Sequence, residues 1–288
     1  MNDHLVRILT EDGSLRATAA LTTAVAEETR HRQQTDPTAS VALGRLLTGG
    51  ALLGCLLKGK QRLALLVEGN GPLGRLSVET DAAGRLRGAI RNPRAGLPPQ
   101  DGRFDVAGAI GKAGFLHVWK DLGLKEPYQS MVQLQSSEIA EDLAWYLTSS
   151  EQIPSSVALG VELDRTGEVA AAGGFLVQSL PPGDETQVEL LVKRLRHLPP
   201  TTSMLRQGLT PGQILERLFS GTGFLVQAEV PLRFHCPCNR RQIEGVLTAL
   251  GKDELLRLAE EQQQVEVACE YCRQIYRFPR EQVRALAG

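Results

Sequence analysis

Aromatic residues are scarce in this 288-residue chain, at 5%. It therefore lacks a ready platform for stacking bases, and a reader of single-stranded nucleic acid is not expected. Neither sign of charge is in excess: 32 Lys+Arg stand against 33 Asp+Glu, for a formal net charge of -1. Without a basic field to displace counterions from a phosphate backbone, nucleic acid is not the expected partner. Long apolar runs are missing too. The longest uncharged, leucine-rich stretch, between Arg45 and Lys58, has 12 residues, three of them glycine, whereas a membrane span takes roughly 20. Residues 1–12 carry Asp3, Arg7, Glu11 and Asp12 and no apolar signal-peptide core. The expectation is a cytoplasmic protein with no membrane partner. Cysteine is rare as well, with five in all, but four of them, Cys236, Cys238, Cys269 and Cys272, fall near the C-terminal end.

What is present suffices for a folded protein. Apolar residues make up 42% and charged residues 23%, and the length suggests about two domains at roughly 150 residues each. Residues 1–180 read as one α+β domain. Leu5 to Leu9 and Leu15 to Leu21 flank a Glu11–Ser14 turn as a hairpin. Thr23 to Gln34 is a short helix, and Asp36-Pro37 supplies an N-cap and an N1 proline for a long apolar helix ending near Lys58. Gly44, Gly49, Gly50 and Gly54 suit that helix to close packing as a buried central element. Strand-like runs follow at 63–68, 75–79, 85–90, 114–120 and 128–134, then a helix over 137–149 and two strands ending near Val177. Hairpins with segregated helices argue for a mixed domain of antiparallel strands and against a doubly wound parallel sheet.

Pro181-Pro182-Gly183 marks a boundary. Residues 181–235 read as a helical linker of short pieces. Val188, Leu191, Val192 and Leu195 form one stripe, and Thr210–Gln213 is a capping box opening a helix to Phe219. Helices this short are marginal alone, so the segment is a metastable element, folded only while its neighbours hold it. Residues 236–288 form a small C-terminal block. Asn239 caps a helix with Gln242 at N3, Asp253 starts another, and strands flank Cys269 and Cys272.

The chemistry sits in Cys236-Pro-Cys238, a spacer of 30 residues, and Cys269-Glu-Tyr-Cys272. Four thiolates suit one tetrahedral Zn2+, so these four cysteines are the expected metal ligands and one zinc ion the expected cofactor. A purely structural zinc site is one reading. A switch is the other, since ligand oxidation would remove the binding energy that folds such a block, and a bridge across C-x-C would be strained and labile. Arg240, Arg241, Arg273 and Arg277 either favour thiolates electrostatically or are plain surface charges. Elsewhere, Gly69–Gly74 matches G-x-G-x-x-G but opens a strand, so it reads as a turn. Gly111-Lys112 lacks the glycine and the Ser/Thr of a phosphate loop. Cys55 reads as a core thiol and His235 as a rim residue. With neither G-x-S-x-G nor H-E-x-x-H, the chain has no catalytic constellation.

The C-x-C and C-x-x-C pair resembles that of the heat shock protein 33 family. So do Asp3–Arg7, Gly71–Gly74, Leu86–Gly88, Glu126–Gln129, Ser150–Pro154 and Gly173–Gln178, in the family's order and across nearly the whole chain. Two positions depart from it: Asn239 stands where the family has serine, and Ser130 where glycine is expected. The resemblance implies a redox-regulated, ATP-independent holdase and not an enzyme. It implies that the reduced, zinc-bound form is inactive, and that oxidative stress joins Cys236 to Cys238 and Cys269 to Cys272, releases zinc and unfolds the C-terminal block. The linker would then lose the surface it docks on. The partners it implies are unfolding client proteins, a second copy in an activated homodimer, and a DnaK-type foldase that receives the clients. Two other classes stay open from the residues alone. One is a structural zinc-ribbon adaptor. The other is a thiol–disulfide oxidoreductase using Cys269 and Cys272, which would want its C-x-x-C at the start of a helix.

Overall fold

The chain enters as a hairpin, β1 (His4–Thr10) and β2 (Leu15–Leu21), paired Leu5↔Ala20 and Ile8↔Ala17. Asp12 organises its turn by accepting from Ser14 N at 3.0 Å and from the Thr10 hydroxyl. The structure is a computed structural model and describes residues 2–99, 102–181, 183 and 185–288. Pro182 of the expected boundary lies outside the described residues. Two helices follow, α1 (Thr23–Gln33) and α2 (Pro37–Gly54). The Asp36 carboxylate accepts from Ala39 N at 2.8 Å, capping α2 one residue before its N1 proline. Every residue of α2 from Thr38 to Gly54 except Arg45 is buried. The expected tight packing is visible at Gly50, where a Cβ would stand 2.7 Å from Val78 Cγ1.

Next come β3 (Arg62–Gly69), β4 (Arg75–Asp81), β5 (Arg85–Ile90), α3 (Val106–Ile110), β6 (Gly114–Asp121), β7 (Tyr128–Gln133), α4 (Ile139–Ser149), β8 (Ser155–Leu163) and β9 (Val169–Ser179). The segment beyond the expected boundary supplies α5 (Glu185–His197), α6 (Thr201–Arg206), α7 (Pro211–Leu218), β10 (Phe224–Pro231) and β11 (Arg233–Phe234). Among the described residues these strands build two sheets, β10-β1-β2-β9-β8 and β11-β5-β4-β3-β6-β7, antiparallel except where β11 joins β5. Helix α2 packs against strands of both sheets, and Leu43, Leu46, Leu47, Leu65, Val78 and Leu176 belong to one core around it. The architecture is α+β, as the strand grouping implies.

The linker expectation holds as helix only to Leu218. The capping box is present: Thr210 Oγ1 accepts from Gln213 N, and the Gln213 side chain accepts from Thr210 N. Residues 224–231, however, are a strand paired with β1, from His4↔Pro231 to Thr10↔Phe224. Val226, Ala228 and Val230 alternate with Gln227 and Glu229, a period-two signal eclipsed by the adjacent Ser220–Gly223 turn chemistry. The helices also have a docking surface. Leu191, Met204, Leu205, Ile214, Leu215 and Leu218 pack with Ile8, Ala17, Ala19, Phe175 and Val177 of the five-stranded sheet in one apolar cluster.

The chain divides into two compact units, Met1–Phe234 and His235–Gly288. The second contains α8 (Arg240–Thr248), α9 (Lys252–Glu261), β12 (Gln264–Ala268), β13 (Ile275–Pro279) and α10 (Arg280–Leu286). Its own core is small: Ile243, Leu247, Leu255, Ala259, Val265, Phe278 and Val283.

Candidate metal centre

Two local turns of the second unit present the cysteines. Cys236 and Cys238 flank Pro237 just ahead of α8, whose cap is Asn239: its Oδ1 accepts from Gln242 N at 3.0 Å. Cys269 and Cys272 sit in the turn between β12 and β13, which pair from Gln264↔Pro279 to Ala268↔Ile275. Cys269 N donates to Gln274 O at 2.9 Å and Arg273 N to Cys269 O at 3.0 Å. Arg273 takes a left-handed φ of 59° to close the turn. Helices α8 and α9 span the spacer and return the chain to β12, so the two turns meet.

The four sulfurs all lie within 4.8 Å of one another. Cys236 and Cys269 are 3.7 Å apart, and Cys238 and Cys272 3.3 Å. Sulfurs held about 2.3 Å from a central ion at tetrahedral angles stand about 3.8 Å apart. The donor set and its dimensions therefore fit a single tetrahedral metal ion. None of the four is joined in a disulfide. Cys269 and Cys272 are buried and the other two half-buried. Burial pushes the Cys272 thiol well above its ordinary range, and its sulfur neighbours push it further. Burial also raises Cys238, opposed by the Tyr276 hydroxyl, which donates to its Sγ at 3.1 Å. Four crowded thiols resist ionising together unless a cation supplies the opposite charge, which is what a bound metal ion does. Tyr276 thereby orients the Cys238 sulfur from outside the cluster, as outer-shell partners of metal ligands do. No sequence motif marks it, although its position as the second residue of β13 places it beside the turn.

With this geometry, the chain's relatives can be compared. The family profile described as Hsp33 protein matches residues 3–279. The chain belongs to the Hsp33 family. It is 57% identical over 286 residues to the 33 kDa chaperonin of Syntrophotalea carbinolica, with 99% of each chain covered. It is 53% identical over 286 residues to that of Geobacter sulfurreducens, covering 99% of this chain and 95% of the relative. The crystal structure of the 33 kDa chaperonin (heat shock protein 33 homolog) from Thermotoga maritima superposes with a TM-score of 0.92 at 38% identity, over 100% of this chain and 98% of that one. Hsp33 proteins are chaperones and not enzymes, and that assignment extends to this chain.

The remaining sequence candidates find plain structural roles. Arg240 and Arg277 are engaged at the surface with Glu244 and Glu266, and Arg240 also lies over the Phe278 ring, 4.3 Å from its centroid. His235 is half-buried and outside the sulfur cluster. Cys55 ends α2, donates to Leu52 O at 3.1 Å and lies 3.3 Å from Thr18 Oγ1, with burial holding the thiol neutral. The Gly69–Gly74 segment is the β3–β4 turn. Gly71 is required there because a Cβ would sit 2.5 Å from Ala109 O, where α3 passes. Ser130, at an expected glycine position, meets the Ser150 hydroxyl at 2.6 Å and ties β7 to the end of α4. No helix among the described residues is long and apolar enough to cross a membrane.

Proposed function

We propose that this chain is a redox-regulated, ATP-independent holdase. In this reading the reduced form holds one Zn2+ through Cys236, Cys238, Cys269 and Cys272 and is inactive. The observation that carries it is the convergence of four cysteine sulfurs at tetrahedral spacing inside a unit whose own core is only seven buried residues. So small a core is marginal by itself, and zinc bound by four thiolates supplies the missing folding free energy.

Peroxide joins Cys236 to Cys238 and Cys269 to Cys272, a pairing taken from the family resemblance. Each bridge forms as two thiolates give two electrons to one peroxide, which takes two protons from solvent and leaves as two water molecules. The ligand thiolates are consumed, and the unit unfolds. The chain runs from the second unit directly into β11 and β10, and from there to α7, α6 and α5, whose apolar sides lie on the five-stranded sheet. Once these elements loosen, the sheet face around Ile8, Ala17, Phe175 and Val177 and the helices' own stripes become available to unfolding clients. The activated form acts as a homodimer in the cytoplasm under oxidative stress and passes clients to a DnaK-type foldase.

The test is light scattering from a heat-unfolding client in the presence of this protein, either zinc-loaded and reduced or treated with peroxide. Suppression by the oxidised form alone is expected. Equal behaviour of the two forms would overturn the switch and leave a structural zinc protein.

A further inference from the structure

Strand β8 has β9 on one side and, among the described residues, no strand on the other. Its ladder shows which main-chain groups are already used. Ser179 N donates to Pro154 O at 3.0 Å. Stepping by two along the antiparallel register makes Ser156↔Val177, Ala158↔Phe175 and Gly160↔Gly173 the hydrogen-bonded pairs. Val157, Leu159 and Val161 therefore turn both N–H and C=O away from the sheet. Among the described residues, none donates to or accepts from these groups.

Edge strands are ordinarily blunted by charge, proline or a bulge. From Ser155 to Val161 this one has no charge and no proline, and its irregularity comes only between Glu162 and Leu163. The edge runs along a groove of about 1410 Å³, larger than the roughly 300–1,000 Å³ of a small-molecule site. Residues of both faces of β8 border it. Val157, Leu159 and Val161 belong to the central core side, and Ala158 to the linker-helix side. The groove therefore follows the edge itself. Its charged lining is net acidic: Glu138 pairs with Arg45 and Glu162 with Arg206, which leaves Asp105 and Glu141 against Arg103.

We propose that this groove takes an extended segment of a client polypeptide as a sixth strand on β8, preferring β-branched apolar stretches flanked by Lys or Arg. The free groups are main-chain, so what they recognise is main chain, and an unfolding protein is the partner that offers it unpaired. The acidic lining selects the flanking charge. This rests on the chaperone assignment but not on the redox switch.

The test uses the full-length protein and a fluorescein-labelled nine-residue peptide of alternating Val and Thr with Lys at both ends, against the same peptide ending in Glu. Anisotropy is expected to show about tenfold tighter binding of the Lys-flanked peptide. Residue-resolved amide exchange at saturation is expected to slow by about tenfold or more at Val157, Leu159 and Val161, while Ala158 and Gly160 are slow already in the free protein. Absence of binding, equal affinity for the two peptides, or unchanged exchange at the three amides in a saturated complex would overturn the proposal. So would protection in the free protein that vanishes on dilution, which would assign the edge to a second copy. Client scattering is measured on the same samples. Suppression with unchanged amides removes only the β8 proposal, whereas no suppression under any condition removes the holdase reading.

Discussion

Replacing Phe278 with alanine asks whether the metal and the C-terminal fold draw on one free energy. Phe278 is fully buried on β13, in a core of seven apolar residues, with the Arg240 guanidinium over its ring. Truncating a buried phenylalanine costs about 3–5 kcal/mol, and losing the cation–π contact at an exposed arginine adds about 0.5–1 kcal/mol. A unit no longer than His235–Gly288 has little stability in reserve. Because the thiols converge only when the unit is folded, the loss passes to metal binding. A cost of about 4 kcal/mol raises the apparent zinc Kd about a thousandfold, though no ligand has been touched. The assay is competition between zinc-loaded, reduced Phe278→Ala and a chromophoric chelator, with a peroxide titration of chaperone onset alongside. Zinc loss at lower chelator and onset at lower peroxide are expected. An apparent zinc affinity within about threefold of wild type, in a variant whose second unit melts earlier, would refute the coupling.

Cys269→Ser removes one of the four clustered sulfurs and should leave well under one zinc per purified chain by mass spectrometry; full metal content would count against the proposed four-sulfur site. Tyr276→Phe deletes the donor to Cys238 Sγ and should weaken zinc binding by about tenfold, read by the same chelator competition; an unchanged affinity would make that hydrogen bond incidental. Trypsin should cut at Lys193, Arg194, Arg206 and Arg217 of α5–α7 readily after oxidation and slowly before it, since reduced protein keeps these helices packed on the sheet. Equal digestion of both forms would contradict the linker's release. Glu151 has a pH signature. Burial pushes its carboxyl up, but hydrogen bonds from Lys120 and Tyr146 outweigh this and hold it below the ordinary glutamate value. Its contribution is therefore complete above the unfolded pKa and lost as pH falls through the folded one. The Tm deficit of Glu151→Gln should be largest near neutrality and shrink as pH drops below the ordinary glutamate range, and a deficit constant with pH would refute the assignment.

Signals carried by neighbouring residues were legible without coordinates. Asp36-Pro37, Thr210 with Gln213, and Asn239 with Gln242 each cap a helix because the cap's partner is three residues away or fewer. The β1–β2 hairpin follows from its own turn. The candidate metal site was legible because thiolate chemistry restricts what two closely spaced cysteine pairs can do, and the four sulfurs do converge. Tertiary structure decided the rest, where the partner is remote in sequence. Residues 224–231 become strand β10 because β1, at the opposite end of the first unit's sequence, offers an edge. The linker helices are held by Ile8, Ala17 and Phe175, a surface assembled from three separate strands. The Tyr276 hydroxyl reaches Cys238 only once α8 and α9 have folded the spacer back. The open edge of β8 is a property of strand order, which no local pattern encodes. Caps, turns and alternation are set by bonds within a few residues, whereas docking faces, edges and outer-shell contacts arise only when distant segments bury their apolar surface together.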